Sequence, residues 1–164
     1  MSKDQDLVMA HLFGTNAVNN IAAHTPHCQA LGMEVVSVAP REATVRLPYR
    51  PELIGDPVRG VVFGGVITTL LDHASGLAVF CSLTEFKPIA TLDLRIDYLR
   101  AAEPPYDLVG RVECYKLGAQ VAFVRGTAWD RTPDDPFASM HATMMLGANA
   151  AESPMARALR EHKP

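Results

Sequence analysis

Residues 61–83 read VVFGGVITTLLDHASGLAVFCSL, and this stretch decides the fold. From Gly65 onward, Ile67, Leu70, Leu71, Ala74, Leu77, Ala78 and Cys81 recur at the spacing of one helix face. Val66, Val79 and Phe80 make the remaining faces apolar as well. The spacing predicts a helix over 65–83 that is buried nearly all round, since such a helix has no face suited to water. Gly64, Gly65, Asp72, His73 and Gly76 interrupt the run, and a charge at its centre argues against a membrane span.

On either side the period changes to two. Residues 33–38 are rich in valine, and over 42–47 Ala43, Val45 and Leu47 alternate with Glu42, Thr44 and Arg46. These read as two strands joined by a turn at Ala39-Pro40. Residues 48–60, PYRPELIGDPVRG, read as a long loop, a length often tied to function. Beyond the helix, Leu92, Leu94, Ile96 and Tyr98 alternate with Asp93, Arg95 and Asp97. Pro104-Pro105 marks a turn, after which Leu108, Val112 and Cys114 alternate with Asp107, Arg111 and Glu113. A turn near Leu117-Gly118 leads to a strand over 120–129. The loop at 132–136 then precedes a last strand lined by Ala138, Met140, Ala142, Met144 and Leu146.

Short connections between successive strands imply antiparallel pairing. The expected fold is therefore α+β, an antiparallel sheet wrapped around one long central helix, because nothing else is available to bury that helix. The expected organisation is an N-terminal helical segment over 1–30, with Asn16 as a cap and Pro26 as a stop. The main domain follows over 31–150. A tail over 151–164 carries a short helix begun by Ser153-Pro154.

Composition is ordinary for a globular domain. Of 164 residues, 48% are hydrophobic and 20% charged, enough to bury a substantial core in one domain. Fifteen basic and 18 acidic residues give a formal charge of −3, so the basic surplus of a general nucleic-acid binder is missing. Cys28, Cys81 and Cys114 are far apart and odd in number, which fits reduced thiols rather than a disulfide framework. The start, from Met1 to Asp6, is polar and leads into no apolar signal segment. A cytoplasmic location is the expectation.

Two features of the helix point to chemistry. Asp72 lies among Leu70, Leu71 and Ala74, where an unpaired charge is costly to bury. Either hydroxyls one turn away, Thr68 or Ser75, satisfy it structurally, or it is a working carboxylate. Gly64-Gly65 stands where the helix begins. Its free N–H groups, with no side chain in the way, suit a developing oxyanion, although a Gly-Gly pair also suits close packing. Gly64 and Asp72 are eight residues apart, about 12 Å along a helix, too far for both to reach one carbonyl. A site using both would draw them from two subunits, which predicts a dimer with two shared sites.

The run from Gly60 to Asp72, followed by Gly76 and by TLDLRIDYLR at 91–100, resembles the hotdog-fold acyl-CoA thioesterases. The nearest group is the phenylacetate-pathway type, related to one kind of 4-hydroxybenzoyl-CoA thioesterase, and the resemblance covers about residues 30–147. It implies hydrolysis of an acyl-CoA or aroyl-CoA by a cytoplasmic dimer or dimer of dimers. Carried over by position, Asp72 is the catalytic carboxylate, activating water or attacking the thioester itself. Gly64 then supplies the oxyanion N–H with help from the helix dipole, and Thr91 positions the water. Phe63 and Gly65 adjoin the acyl group. Arg100, Lys116 and Gly118 lie where the family often binds the nucleotide. The chain departs from the pattern at Phe63, where the family usually has histidine. It departs again at Pro57, next to Asp56, where an asparagine is common.

No metal or redox cofactor is implied, coenzyme A entering only as part of the substrate. His24, His27 and Cys28 form an H-x-x-H-C cluster without an anchoring second pair. His73 points about 100° away from Asp72 around the helix and reads as packed or at an interface. Tyr49, Trp129 and the methionines of the last strand read as core or interface residues. The alternatives to hydrolysis are a non-catalytic acyl-CoA-binding protein and a hydratase or dehydratase of the same fold. The latter needs a histidine within reach of the carboxylate.

Overall fold

A computed structural model describes residues 25–147. The expected helices before Thr25 and at Ser153 lie outside these residues. Helix α1 (Pro26–Leu31) ends at Gly32, whose φ of 71° is the left-handed conformation that closes a helix. Strands β1 (Glu34–Ala39) and β2 (Glu42–Leu47) form a hairpin through Pro40 and Arg41. After a short 3-10 turn come β3 (Ile54–Asp56) and β4 (Val61–Val62), then the long helix α2 (Gly64–Phe80). Strands β5 (Ile89–Tyr98), β6 (Leu108–Leu117), β7 (Val121–Trp129) and β8 (Ala138–Leu146) complete the described chain.

Six strands form one antiparallel sheet in the order β1-β2-β6-β7-β8-β5, and α2 packs across β2, β5, β6, β7 and β8. Helix residues Leu70, Leu71, Ala74 and Ala78 have no exposed surface, nor do Val45, Leu47, Val112 and Val124 opposite them in the sheet. This core obeys the sequence periods. On β8, Ala138, Met140, Ala142, Met144 and Leu146 are all buried, with the intervening residues at least partly exposed. Gly110 lets the helix close on the sheet, since a Cβ there would stand 3.3 Å from the Leu70 side chain. The expected α+β wrap is thus the observed fold.

Three details differ from the sequence reading. The helix begins at Gly64 and ends at Phe80, with Cys81 closing it. The loop over 48–60 is partly ordered into the 3-10 turn and a small β3–β4 sheet, held by Asp56 Oδ1 accepting from the Val58 and Arg59 N–H groups. The third lies in β5, whose alternation is broken. The register of β5 on β8 shifts between Thr91 and Asp93, a bulge at Leu92. Leu92 therefore faces solvent and is 57% exposed, whereas Leu94 and Ile96 pack on the core. β5 is also an edge of the sheet, so its outer backbone groups have no neighbouring strand among the described residues.

Candidate active site

Asp72 occupies the third turn of α2 and is half-buried, less deeply than the apolar run around it suggested. Neither nearby hydroxyl satisfies it. Thr68 Oγ1 donates to the Gly64 carbonyl at 3.1 Å, and Ser75 Oγ to the Leu71 carbonyl at 2.7 Å, each bonding back along its own helix. The partner of Asp72 is Thr91, whose Oγ1 donates to Oδ1 at 2.7 Å. The bulge is what permits this. Strict alternation would put Thr91 on the solvent face with Asp93; the extra residue turns it toward the helix, opposite the buried Met144.

At the other end, Phe63 is the N-cap of α2 and offers no side-chain cap, so the first N–H groups of the helix stay available. The Phe63 ring is 60% exposed and lies against Gly65, where a Cβ would come within 2.5 Å of a ring atom. Gly55 abuts Phe63 from the other side, its own Cβ position 2.8 Å from the Phe63 Cα. The Gly64 carbonyl accepts from Tyr98 Oη at 3.2 Å. One strand therefore touches both ends of the candidate site: Thr91 near the start of β5 meets Asp72, and Tyr98 at its end meets Gly64.

A cavity of about 370 Å³ opens beside Asp72. Asp72, His73, Gly76, Leu77 and Phe80 line it from the helix, and Phe86, Lys87, Pro88, Ile89, Thr91 and Met144 from the facing segment. Phe80 and Phe86 meet edge to face there, their ring centroids 6.1 Å apart. Thr25, just before α1, also lines it, and apart from Thr25, Asp72, Thr91, His73 and Lys87 these walls are mostly apolar. Lys87 pairs with Glu85 at 3.2 Å.

The sequence reading set His73 aside, yet the cavity reaches round the helix far enough to take it in. His73 Nε2 is buried and has no hydrogen-bond partner among the described residues. Burial holds its imidazole below the usual histidine range, although the negative charge of Asp72 pulls the other way. Cys28, buried on α1, has its thiol pushed up first by burial and then by the Asp72 charge. Thus α1 also approaches the carboxylate. Of the H-x-x-H-C cluster, His27 is exposed and His24 lies outside the described residues.

None of the proposed nucleotide contacts lines the cavity beside Asp72. Arg100 is engaged within the fold: its Nη1 and Nη2 donate to the two Asp130 carboxylate oxygens at 2.9 and 2.6 Å, and Nη2 donates to the Asp135 carbonyl at 2.8 Å. It ties the end of β5 to the β7–β8 loop. Lys116 is exposed, its Nζ 5.6 Å from the centre of the Phe123 ring. Gly118 closes the β6–β7 turn, where a Cβ would stand 2.8 Å from the Val121 carbonyl oxygen.

A sheet curled round one long helix, with a carboxylate on that helix and glycines at its start, defines a class of small hotdog domains. The sequence model of the thioesterase superfamily matches residues 59–136. The medium/long-chain acyl-CoA thioesterase YigI of Escherichia coli K12 is 34% identical over 90 residues, which cover 47% of this chain and 58% of that protein. A Pseudomonas aeruginosa protein of known structure is 40% identical with a TM-score of 0.72, covering 82% of this chain and 98% of that one. The phenylacetic acid degradation protein PaaI of Thermus thermophilus, solved as a mutant, gives 27% identity and a TM-score of 0.64, over 73% of this chain and 97% of that one. The chain belongs to the thioesterase superfamily and has its hotdog fold. It spans about three fifths of the length of the curated relatives it matches. Among the described residues, no helix is long and apolar enough to cross a membrane.

Proposed function

We propose that the protein hydrolyses an acyl-CoA thioester, with Asp72 as the base at a site shared by two subunits. The observation that carries this reading is the Thr91–Asp72 hydrogen bond at the mouth of an apolar cavity. Thr91 occupies Oδ1 and leaves Oδ2 to take a proton from water. The resulting hydroxide attacks the thioester carbonyl carbon, and the oxyanion is held by the Gly64 N–H at the positive end of α2. As the C–S bond breaks, Asp72 returns the proton to the departing sulfur, giving the free acid and CoA.

Within one protomer Gly64 and Asp72 are about 12 Å apart along α2. The edge strand resolves this. If β5 pairs with β5 of a second copy, antiparallel and centred near Leu94, the Thr91 end of one strand meets the Tyr98 end of the other. Asp72 then adjoins the partner subunit's Gly64. The same pairing covers the outer backbone of β5 and the exposed Leu92, Tyr98 and Leu99 side chains. The partner subunit's Phe63 would form the wall beside the thioester, and Lys116 and Gly118 would approach the nucleotide.

Thiol release from acetyl-, octanoyl- and benzoyl-CoA, followed with a thiol-reactive dye, tests this reading. Free CoA appearing with turnover supports it. Tight binding with no thiol release would mark a binding protein, and hydration of an enoyl-CoA without thiol release would mark the rival chemistry.

A further inference from the structure

Gly76 lies in the interior of α2, a place where glycine supports a helix less well than any residue but proline. Two structural needs usually account for such a glycine, and neither applies. Its backbone is ordinary helix: among the described residues, the glycines with positive φ are Gly32 and Gly60. Close packing does not require it either. A Cβ at Gly76 would meet no atom of the described residues within 4 Å, whereas one at Gly110 would press on Leu70 and Leu71. The space that a side chain at Gly76 would enter is the cavity beside Asp72, which Gly76 lines.

The position along the helix shows what uses that space. Asp72, Gly76 and Phe80 follow at intervals of four, so they succeed one another along one side of α2, and all three line the cavity. Gly76 is the bare backbone between the carboxylate and the Phe80–Phe86 aromatic pair. Resting on the thioesterase reading, we propose that Gly76 is a specificity-determining residue. The acyl chain leaves the carbonyl at Asp72, crosses the helix against Gly76 and ends on Phe80 and Phe86. The substrate class is an unbranched acyl-CoA of medium length. Asp72 and Phe80 are about 12 Å apart along the helix, a span that an extended chain of roughly eight to ten carbons covers. Leu77, Ile89 and Met144 give that chain apolar walls.

The test compares octanoyl-CoA with acetyl-CoA in the native protein, Gly76→Ala and Gly76→Leu. Three quantities are read: the melting temperature, the octanoyl-to-acetyl ratio of kcat/KM, and the corresponding ratio of affinities in an Asp72→Asn background. Gly76→Ala should melt above the native protein, because alanine favours the helix and its methyl group meets no protein atom. Its octanoyl preference should nevertheless fall at least about threefold, and that of Gly76→Leu at least about tenfold. A gain in stability with a chain-length-dependent loss of activity is not what a merely structural glycine gives. A ratio unchanged in both variants, or in Gly76→Ala alone where leucine prevents folding, would overturn the inference. So would a Gly76→Ala protein that melts below the native one, since another part of the chain or a second copy then fills the space. The two readings fail separately. Absence of thiol release from either substrate would sink the hydrolase reading, while an affinity ratio that still falls with the size of the residue at 76 would uphold this one.

Discussion

Thr91 and Asp72 are joined at 2.7 Å, strand to helix, through a bulge that turns the threonine inward. The pair fixes one carboxylate oxygen and leaves the other to act. Thr91→Val removes the donor and keeps the shape. Turnover should fall about tenfold with KM little altered, the mark of an interaction that matters in the transition state. Thr91→Ser should retain most activity. Equal kcat in Thr91→Val and the native protein would show that the hydroxyl is only structural.

The shared site makes a prediction about mixtures. Gly64→Val places its side chain against Tyr98 Oη, which a Cβ alone would approach to 3.2 Å, and obstructs the oxyanion position. Gly64→Val and Asp72→Asn homodimers should both be inactive. Co-expressed, they should form heterodimers with one intact site and recover measurable activity. Heterodimers without activity would place each site within one chain.

Phe63 stands at the N-cap of α2 with its ring on Gly65. If the ring of one subunit walls the thioester of the other, Phe63→His should lower kcat/KM for octanoyl- or benzoyl-CoA relative to acetyl-CoA. The shift should correspond to roughly 1–3 kcal/mol of lost apolar contact. An unchanged ratio would remove Phe63 from the acyl site.

Arg100 and Asp130 concern stability rather than catalysis. Burial pushes the Asp130 carboxyl up, but hydrogen bonds from Arg100 and the Glu103 N–H, with the Arg100 charge, outweigh it and hold the group at about 2. The folded value is below the unfolded one of about 3.9, so the stabilisation is complete above that pH and disappears as pH falls through about 2. Arg100→Ala leaves the fully covered Asp130 carboxylate with the Glu103 N–H and, at 3.9 Å, Arg131 as its remaining partners, and should cost about 2–3 kcal/mol at pH 7 in urea melts. That is less than for a wholly buried pair, because part of Arg100 stays in water. The difference from the native protein should shrink between pH 4 and 2; a constant difference would contradict it.

Most of the fold was legible in the sequence because burial enforces periods. α2 is surrounded, so it is apolar all round, and β8 is half-covered, so it alternates from Ala138 to Leu146. β5 misled because a bulge costs one residue and leaves no mark in the pattern: Leu92 looks like a core position and is a surface one. The same bulge hid the reach of Thr91, which the family resemblance indicated and strict alternation denied. His73 was passed over because the angular step from Asp72 suggested different surroundings. The segment from Phe86 to Ile89 closes a cavity wide enough to hold both, a tertiary fact with no local signal. Arg100 looked free for phosphate, and its carboxylate partner lies thirty residues away.

The central claim is that Asp72 performs the chemistry. Initial rates of thiol release from octanoyl-CoA by Asp72→Asn, at saturating substrate and with the dimer and fold confirmed, test it most directly. The account predicts turnover at least about a hundredfold below the native protein, the scale expected when a base or nucleophile is lost. Turnover within severalfold of the native value would contradict it and move the reaction away from Asp72.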